Sequence, residues 1–443
     1  MKKKICIIGA GLAGSELSYQ LAKRGLEVCL YEPRLNKKYD DGIHKTDKFA
    51  ELVCSNSFRS NSLHNAAGLL KEELRLLGSF IISTADRFAV PAGSALAVSR
   101  DDFASAVTKT ISSMPNIKII PEEVTSLRPL LDKFDLVVVC AGPVTSKALS
   151  ADLMDMIGKD YLYFYDAIAP LVEFSSVNME KCFRASRYST EDGDYVNAPM
   201  TKKQYEEFVE MLLKGEKSPL HKGDEGVFFR GCLPVEFMAE EGMETLLNGP
   251  MRGDGLMDPQ TGRAPYAAVQ LRQDNAVGNV YNIVGFQTRL TYPEQERVFR
   301  SIPGLEKAEF LRLGSMHRNI YVNAPEVLNS NMSLKVEPRI FLSGQISGVE
   351  GYVESIAHSM VVANSILNLW DLPSYTATGA LRDYLVNADP KNFQPMKINF
   401  GIIPPLTDDD MALYMEKGKR RFETKMAMSR RSIGSFKNIS PKP

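Results

Sequence analysis

The chain has 443 residues and a formal net charge of −1, with 44% hydrophobic and 24% charged residues. That length exceeds what one hydrophobic core usually organises, so two domains or one elaborated domain are expected, of ordinary globular composition. No apolar run reaches the length of a membrane span, the best candidate at 356–370 being interrupted by His358, Ser359, Asn364 and Asn368. The near-neutral charge by itself points to no polyanionic partner, and it leaves room for a local basic patch. Six cysteines, at 6, 29, 54, 140, 182 and 232, are scattered without a CxxC pair or a Cys/His cluster. This pattern favours reduced, cytoplasmic thiols and argues against zinc or an iron–sulfur cluster.

The start, MKKKICIIGAGLAG, opens as a signal peptide does but runs straight into a glycine motif, so it reads as a first strand. Residues 4–8 form that strand, 12–24 a helix and 27–31 a second strand, together one βαβ unit. Between strand and helix lies Gly9-Ala10-Gly11-Leu12-Ala13-Gly14, and Glu32 ends the second strand. Glycines there allow a tight turn and bring a pyrophosphate to the helix N-terminus, while the carboxylate suits ribose hydroxyls. The motif alone does not separate NAD from FAD. Residues 62–77 follow as an amphipathic helix closed by Gly78, then a helix at 101–113 and strands at 117–120 and 135–140.

From about residue 160 the texture changes. Thr201 caps a helix reaching Leu213, YAAVQLRQ and NVYNIVGFQ read as a hairpin, and a helix at 293–302 and the strand AEFLRLG complete the section. The strand IFLSG at 340–344 and a long helix after Gly351 return to the style of the first domain. With Gly344, Gly348 and Gly351 before that helix, a second helix N-terminus would face the same cofactor, an arrangement suited to FAD. The expected fold is α/β. A Rossmann-like FAD-binding domain (1–159) is interrupted by an α+β insertion domain (160–330) and completed by 331–443 with a basic C-terminal helix. That tail reads as a solvated helix or as a basic arm, with Lys417, Lys419, Arg420, Arg421, Arg430 and Arg431 as the patch.

Three other residues stand out. Cys232, in FFRGCLPVEF, precedes Pro234, expected in the first turn of a short helix whose N-terminus would favour a thiolate. Cys54, in ELVCSNSFRS, lies in a polar loop and has no neighbouring redox partner. His317, in GSMHRN, lies past a strand among small and polar residues.

The stretches ELVCSNSFRSNSLHNAAGLLKEELR, PAGSALAVSRDDF, FFRGCLPVEFMA, PYAAVQLRQDN and GQISGVEGYVES resemble the folate- and FAD-dependent tRNA (uracil-5-)-methyltransferase family, TrmFO, over nearly the whole chain. The resemblance implies methylation of a T-loop uridine in tRNA, with methylenetetrahydrofolate as carbon donor, FAD as methylene carrier and NADPH or NADH as reductant. It further implies Cys232 as the nucleophile, Cys54 as a second active-site cysteine and His317 against the folate ring. Arg230, Asp254 and Ala198 depart from the family pattern. Alternatives are the same chemistry on ribosomal RNA, an RNA-binding flavoprotein that acts as a folding factor, and an unrelated FAD oxidase or hydroxylase.

Overall fold

The computed structural model describes residues 3–143, 145–158, 162–188, 193–219, 233–415 and 421–437. Its first sheet has five parallel strands in the order Ile340–Leu342, Leu136–Val139, Lys4–Ile8, Glu27–Tyr31, Ile117–Ile120. Ile5, Cys6, Ile7, Val137, Val138 and Val139 are fully buried. A parallel sheet covered on both faces needs such uniformly apolar strands. Helices Leu12–Lys23 and Tyr352–Leu367 pack against each other, so the two ends of the chain meet over this sheet.

A second sheet of six antiparallel strands is built entirely from residues between 171 and 312. Its central strand, Ala267–Gln273, pairs with Tyr195–Met200 on one side and Val280–Ile283 on the other. The helix Lys202–Lys214 covers it, started by a reciprocal capping box between Thr201 and Gln204. Val196, Val269, Leu271, Phe208, Leu212 and Phe299 form its own hydrophobic core. The α/β class expected from the sequence is the one observed.

Several elements differ in their bounds from expectation, and two differ in ways that bear on packing. The helix expected over 62–77 is Ala66–Leu76. The Ser60 and Ser62 hydroxyls accept from the backbone N–H groups two residues on, at 3.1 and 3.3 Å, and these local bonds compete with a helical start.

The tail differs more. It forms two helices, Asp408–Tyr414 and Arg421–Lys437, and the second is built into the protein rather than solvated. Ala427, Met428, Ser429, Ser432 and Phe436 are buried, and Ser432 donates to the buried carboxylate of Glu73. Arg431 is buried against Asp410 at 2.8 Å and the carbonyls of Pro404 and Pro405, and Arg430 bonds Glu423 at 2.7 Å. Of the four arginines of the expected basic patch, Arg431 is therefore neutralised inside the protein and Arg430, partly exposed, is paired within the tail. Lys417, Lys419 and Arg420 lie outside the described residues.

Candidate functional site

A cleft of about 1090 Å³, its open mouth included, is lined by the residues that follow strands of the parallel sheet: Gly9, Gly11, Glu32, Cys140, Ser343 and Gly344. The C-terminal edge of such a sheet is where nucleotides bind, because chain turns and helix N-termini collect there. Leu12 and Ala13 also line it.

Each glycine of the motif has a separate task. A side chain at Gly11 would meet no atom within 4 Å and would project into open space, which leaves room for a pyrophosphate. A Cβ at Gly14 would sit 1.8 Å from the Gly9 carbonyl oxygen, so this residue sets the close packing of helix on turn. Gly9, at φ +98°, needs its freedom for the turn itself.

Glu32 is nearly buried and accepts from the Ala10 N–H at 2.8 Å, and Arg34 bonds it at 2.9 Å. Burial raises its pKa, but the Arg34 contacts and the two backbone N–H groups outweigh this and hold it below the usual carboxylate range. It is thus an ionised acceptor at the rim of the cleft. An open glycine, a helix N-terminus and a buried carboxylate fit FAD.

Gly344 lines the cleft at φ +80°, where a Cβ would come within 2.9 Å of Ala13. Its N–H donates to Nδ1 of His358, fully buried in the Tyr352–Leu367 helix, and the Ser347 hydroxyl bonds the same nitrogen. Burial pushes His358 down to about 3, so the ring stays neutral and acts as an acceptor. Ala10, Gly348 and Gly351 do not line the cleft. A Cβ at Gly348 would strike Phe393, and one at Gly351 would strike Glu354, so both shape the turn while Tyr352 and Ser355 face the cleft.

The Cys54 loop forms one wall. Val53 lines the cleft, and the Tyr352 hydroxyl accepts from the backbone N–H groups of Cys54 and Ser55 at 2.9 and 3.2 Å. On its other side the loop meets the six-stranded sheet: Arg272 bonds Ser55 and Asn56, and Arg312 bonds the Val53 and Cys54 carbonyls. The Cys54 loop is therefore wedged between the cofactor-type cleft and the second sheet.

Cys232, with Arg230, lies outside the described residues. The helix following it runs Val235–Glu240, six residues, with Pro234 as N-cap and not in the first turn. The Val235 N–H is taken by the Gln287 carbonyl, and buried Glu236 lies in the first turn. So short a helix has only a small dipole to offer a thiolate. His317 lies in the strand Met316–Tyr321, opposite Asp166 of Leu162–Ala167.

The profile of the glucose inhibited division protein A family matches residues 4–369. The protein named methylenetetrahydrofolate--tRNA-(uracil-5-)-methyltransferase TrmFO in Natranaerobius thermophilus is 51% identical over 409 residues, 91% of this chain and 93% of that protein. The one of the same name in Desulforudis audaxviator is 48% identical over 439 residues, 98% of this chain and 97% of that protein. The chain belongs to the TrmFO family. Aquifex aeolicus GidA, in one crystal form, superposes with a TM-score of 0.68 at 14% identity, over 99% of this chain and 73% of that one. This likeness shows the shared fold. No helix among the described residues is long and apolar enough to cross a membrane.

Sequence reasoning missed the groups that hold this TrmFO site together. Arg100, Arg272, Arg312, Tyr352 and His358 were not singled out as functional. A signal was present for one of them: Arg272 is the one charged residue in a strand otherwise made of alanine, valine, leucine and glutamine, and a charge in such a strand is retained only with buried partners.

Proposed function

We propose that the chain methylates C5 of a uridine in the T-loop of tRNA, with methylenetetrahydrofolate as carbon donor and NADPH or NADH as reductant. The observation that carries this reading is the near-full-length match to proteins that bear that activity in their name. FAD, when bound, supplies the redox chemistry and carries the one-carbon unit between folate and base. Gly9, Gly11 and the start of the Leu12–Lys23 helix hold its pyrophosphate, Glu32 its ribose, and Gly344 with Tyr352 the far end of the cleft.

Carbon 5 of uracil is a poor nucleophile until a thiolate adds at C6, and Cys232 provides that thiolate. Cys54 works on the flavin side, and its place between cleft and second sheet supports this. His317 packs against the folate ring. The segments 1–159 and 331–443 form the FAD-binding domain, 160–330 faces RNA and folate, and the protein works in the cytoplasm. Reaching a base held in folded RNA requires it to be splayed from its stack.

The test is mass spectrometry of nucleosides from tRNA and ribosomal RNA of a strain lacking the gene. Loss of 5-methyluridine from tRNA alone is expected. Loss from ribosomal RNA with tRNA intact would move the target to the alternative substrate, and no change in either would remove the assignment.

A further inference from the structure

Tyr188 has a left-handed backbone, φ +61°, a conformation that strains a bulky side chain. Ala50 and Met332 share that region of φ, but both are fully buried, so the core packed around them holds them there. Tyr188 is 72% exposed, and no core offsets its strain.

Its immediate neighbours fix it instead. The Tyr188 N–H donates to the Gly255 carbonyl at 2.8 Å. A Cβ on Gly255 would fall 2.6 Å from one ring carbon and 2.8 Å from two more, so the glycine lies under a face of the ring and any side chain there would displace it. The Arg252 guanidinium donates to the Tyr188 hydroxyl at 2.6 Å, with its central carbon 5.6 Å from the ring centre. Arg187 donates to the Arg252 carbonyl at 2.7 Å and to Gln270 Oε1 at 2.6 Å. Leu256, next to Gly255, is buried in a small apolar cluster with Phe183 and Ala268. An exposed aromatic ring is thus held rigidly, with a cation at its hydroxyl end.

This unit stands on the sheet face that leads to the cleft. Ala268, Gln270 and Arg272 alternate onto one face of Ala267–Gln273. Arg272 bonds Ser55 and Asn56 in the loop beside the cleft, whereas Gln270 and Ala268 support the Tyr188 unit. About 13 Å of strand separates Ala268 from Arg272. A ring with an open face beside a guanidinium is the pairing that unstacked nucleic acid takes, the ring receiving a base and the cation a phosphate.

We infer that Tyr188 is a stacking platform for an unpaired RNA base beside the target uridine, with Arg252 fixing the ring and attracting the neighbouring phosphate. The strained backbone keeps the ring out in solvent, where a base can reach it. This inference rests on the RNA methylation proposed above.

The experiment measures the affinity of the full-length, flavin-loaded protein for an unmodified tRNA transcript by filter binding. Tyr188→Gly should weaken binding about tenfold, the loss of one stacked base, and Tyr188→Phe should stay within about twofold of wild type. Stacking releases no counterions, so the Tyr188→Gly loss should be equal at about 50 and 200 mM salt, while an Arg252→Gln loss should shrink as salt rises. Glycine accepts the left-handed backbone, so the Tyr188→Gly unfolding midpoint should lie within about 2 °C of wild type or above it. The KM for methylenetetrahydrofolate should not move. Unchanged tRNA affinity in Tyr188→Gly protein would overturn the inference and leave the methylation reading standing. A raised KM for the folate with tRNA affinity intact would overturn it by making the ring a folate contact, and a clearly lower midpoint by making it a structural prop. Failure of the wild-type protein to bind tRNA would overturn both readings.

Discussion

Gly11 and Gly14 belong to one motif but should fail in opposite ways when substituted. Gly11 has an ordinary backbone, φ −68° and ψ −166°, and a Cβ there meets nothing within 4 Å. Gly11→Val should therefore fold, at a cost of about 1 kcal/mol for a poor N-cap residue. Its methyl groups would occupy the space of the pyrophosphate. Losing even two charge-assisted N–H bonds to phosphate, at about 1.5–3 kcal/mol each, lowers affinity about 100-fold or more. Gly14→Ala instead drives a carbon to 1.8 Å from the Gly9 carbonyl oxygen, and the turn or the helix must move. That should cost more than about 3 kcal/mol, as overpacking against backbone does. The assay is the ratio of flavin to protein absorbance after purification, beside the thermal unfolding midpoint. Gly11→Val should be colourless with a midpoint within about 2 °C of wild type stripped of its flavin, and Gly14→Ala should be both colourless and less stable than that flavin-free reference. A yellow Gly11→Val protein, or a Gly14→Ala protein as stable as wild type, would refute the reasoning.

The buried, neutral His358 gives a pH dependence of known sign. Its folded value of about 3 lies below the ordinary 6.5, so the unfolded chain takes a proton that the folded one refuses. Stability from this group is complete above about pH 6.5 and falls by about 1.4 kcal/mol per unit below it, which His358→Gln should abolish in urea unfolding at pH 7 and pH 5. Glu73 accepts the N–H groups of Ala377 and Thr378 and the Ser432 hydroxyl, tying three helices together. Glu73→Ala should lower stability by about 3 kcal/mol, read from denaturant midpoints, because several buried donors lose their acceptor at once. Truncation after Leu406 should lower the unfolding midpoint, since it strips Met428 and Phe436 from the core, and a truncated protein as stable as the full chain would contradict the packed tail.

The parts that were legible in the sequence were those governed by local pattern. Strands Lys4–Ile8 and Glu27–Tyr31 were placed to the residue because apolar runs, glycines and a terminal carboxylate all agree there. Thr201 was recognised as a cap for the same reason: a hydroxyl followed three residues later by Gln204 is a local signal. The tail misled because its surplus of lysine and arginine reads as solvated, while the groups that neutralise Arg431 are Asp410 and two proline carbonyls brought near only by folding. The arginines around Cys54 were invisible for a related reason. Residues 100, 272 and 312 are remote in the chain, and nothing at any one of them announces a common target. Gly348 and Gly351 showed a further limit: glycines before a helix mark a turn, but whether the turn serves a ligand or makes room for Phe393 and Glu354 is a matter of tertiary contact.

The central claim is that the methyl carbon reaches uridine from folate through the FAD-type cleft. Its most direct test gives the purified protein unmodified tRNA, NADPH or NADH, and methylenetetrahydrofolate labelled in its one-carbon unit, with S-adenosylmethionine labelled differently in a parallel reaction. The account predicts the folate label in 5-methyluridine, none from S-adenosylmethionine, and no product with Gly11→Val protein. Label from S-adenosylmethionine in that nucleoside, or full folate-dependent methylation by a flavin-free Gly11→Val protein, would contradict it.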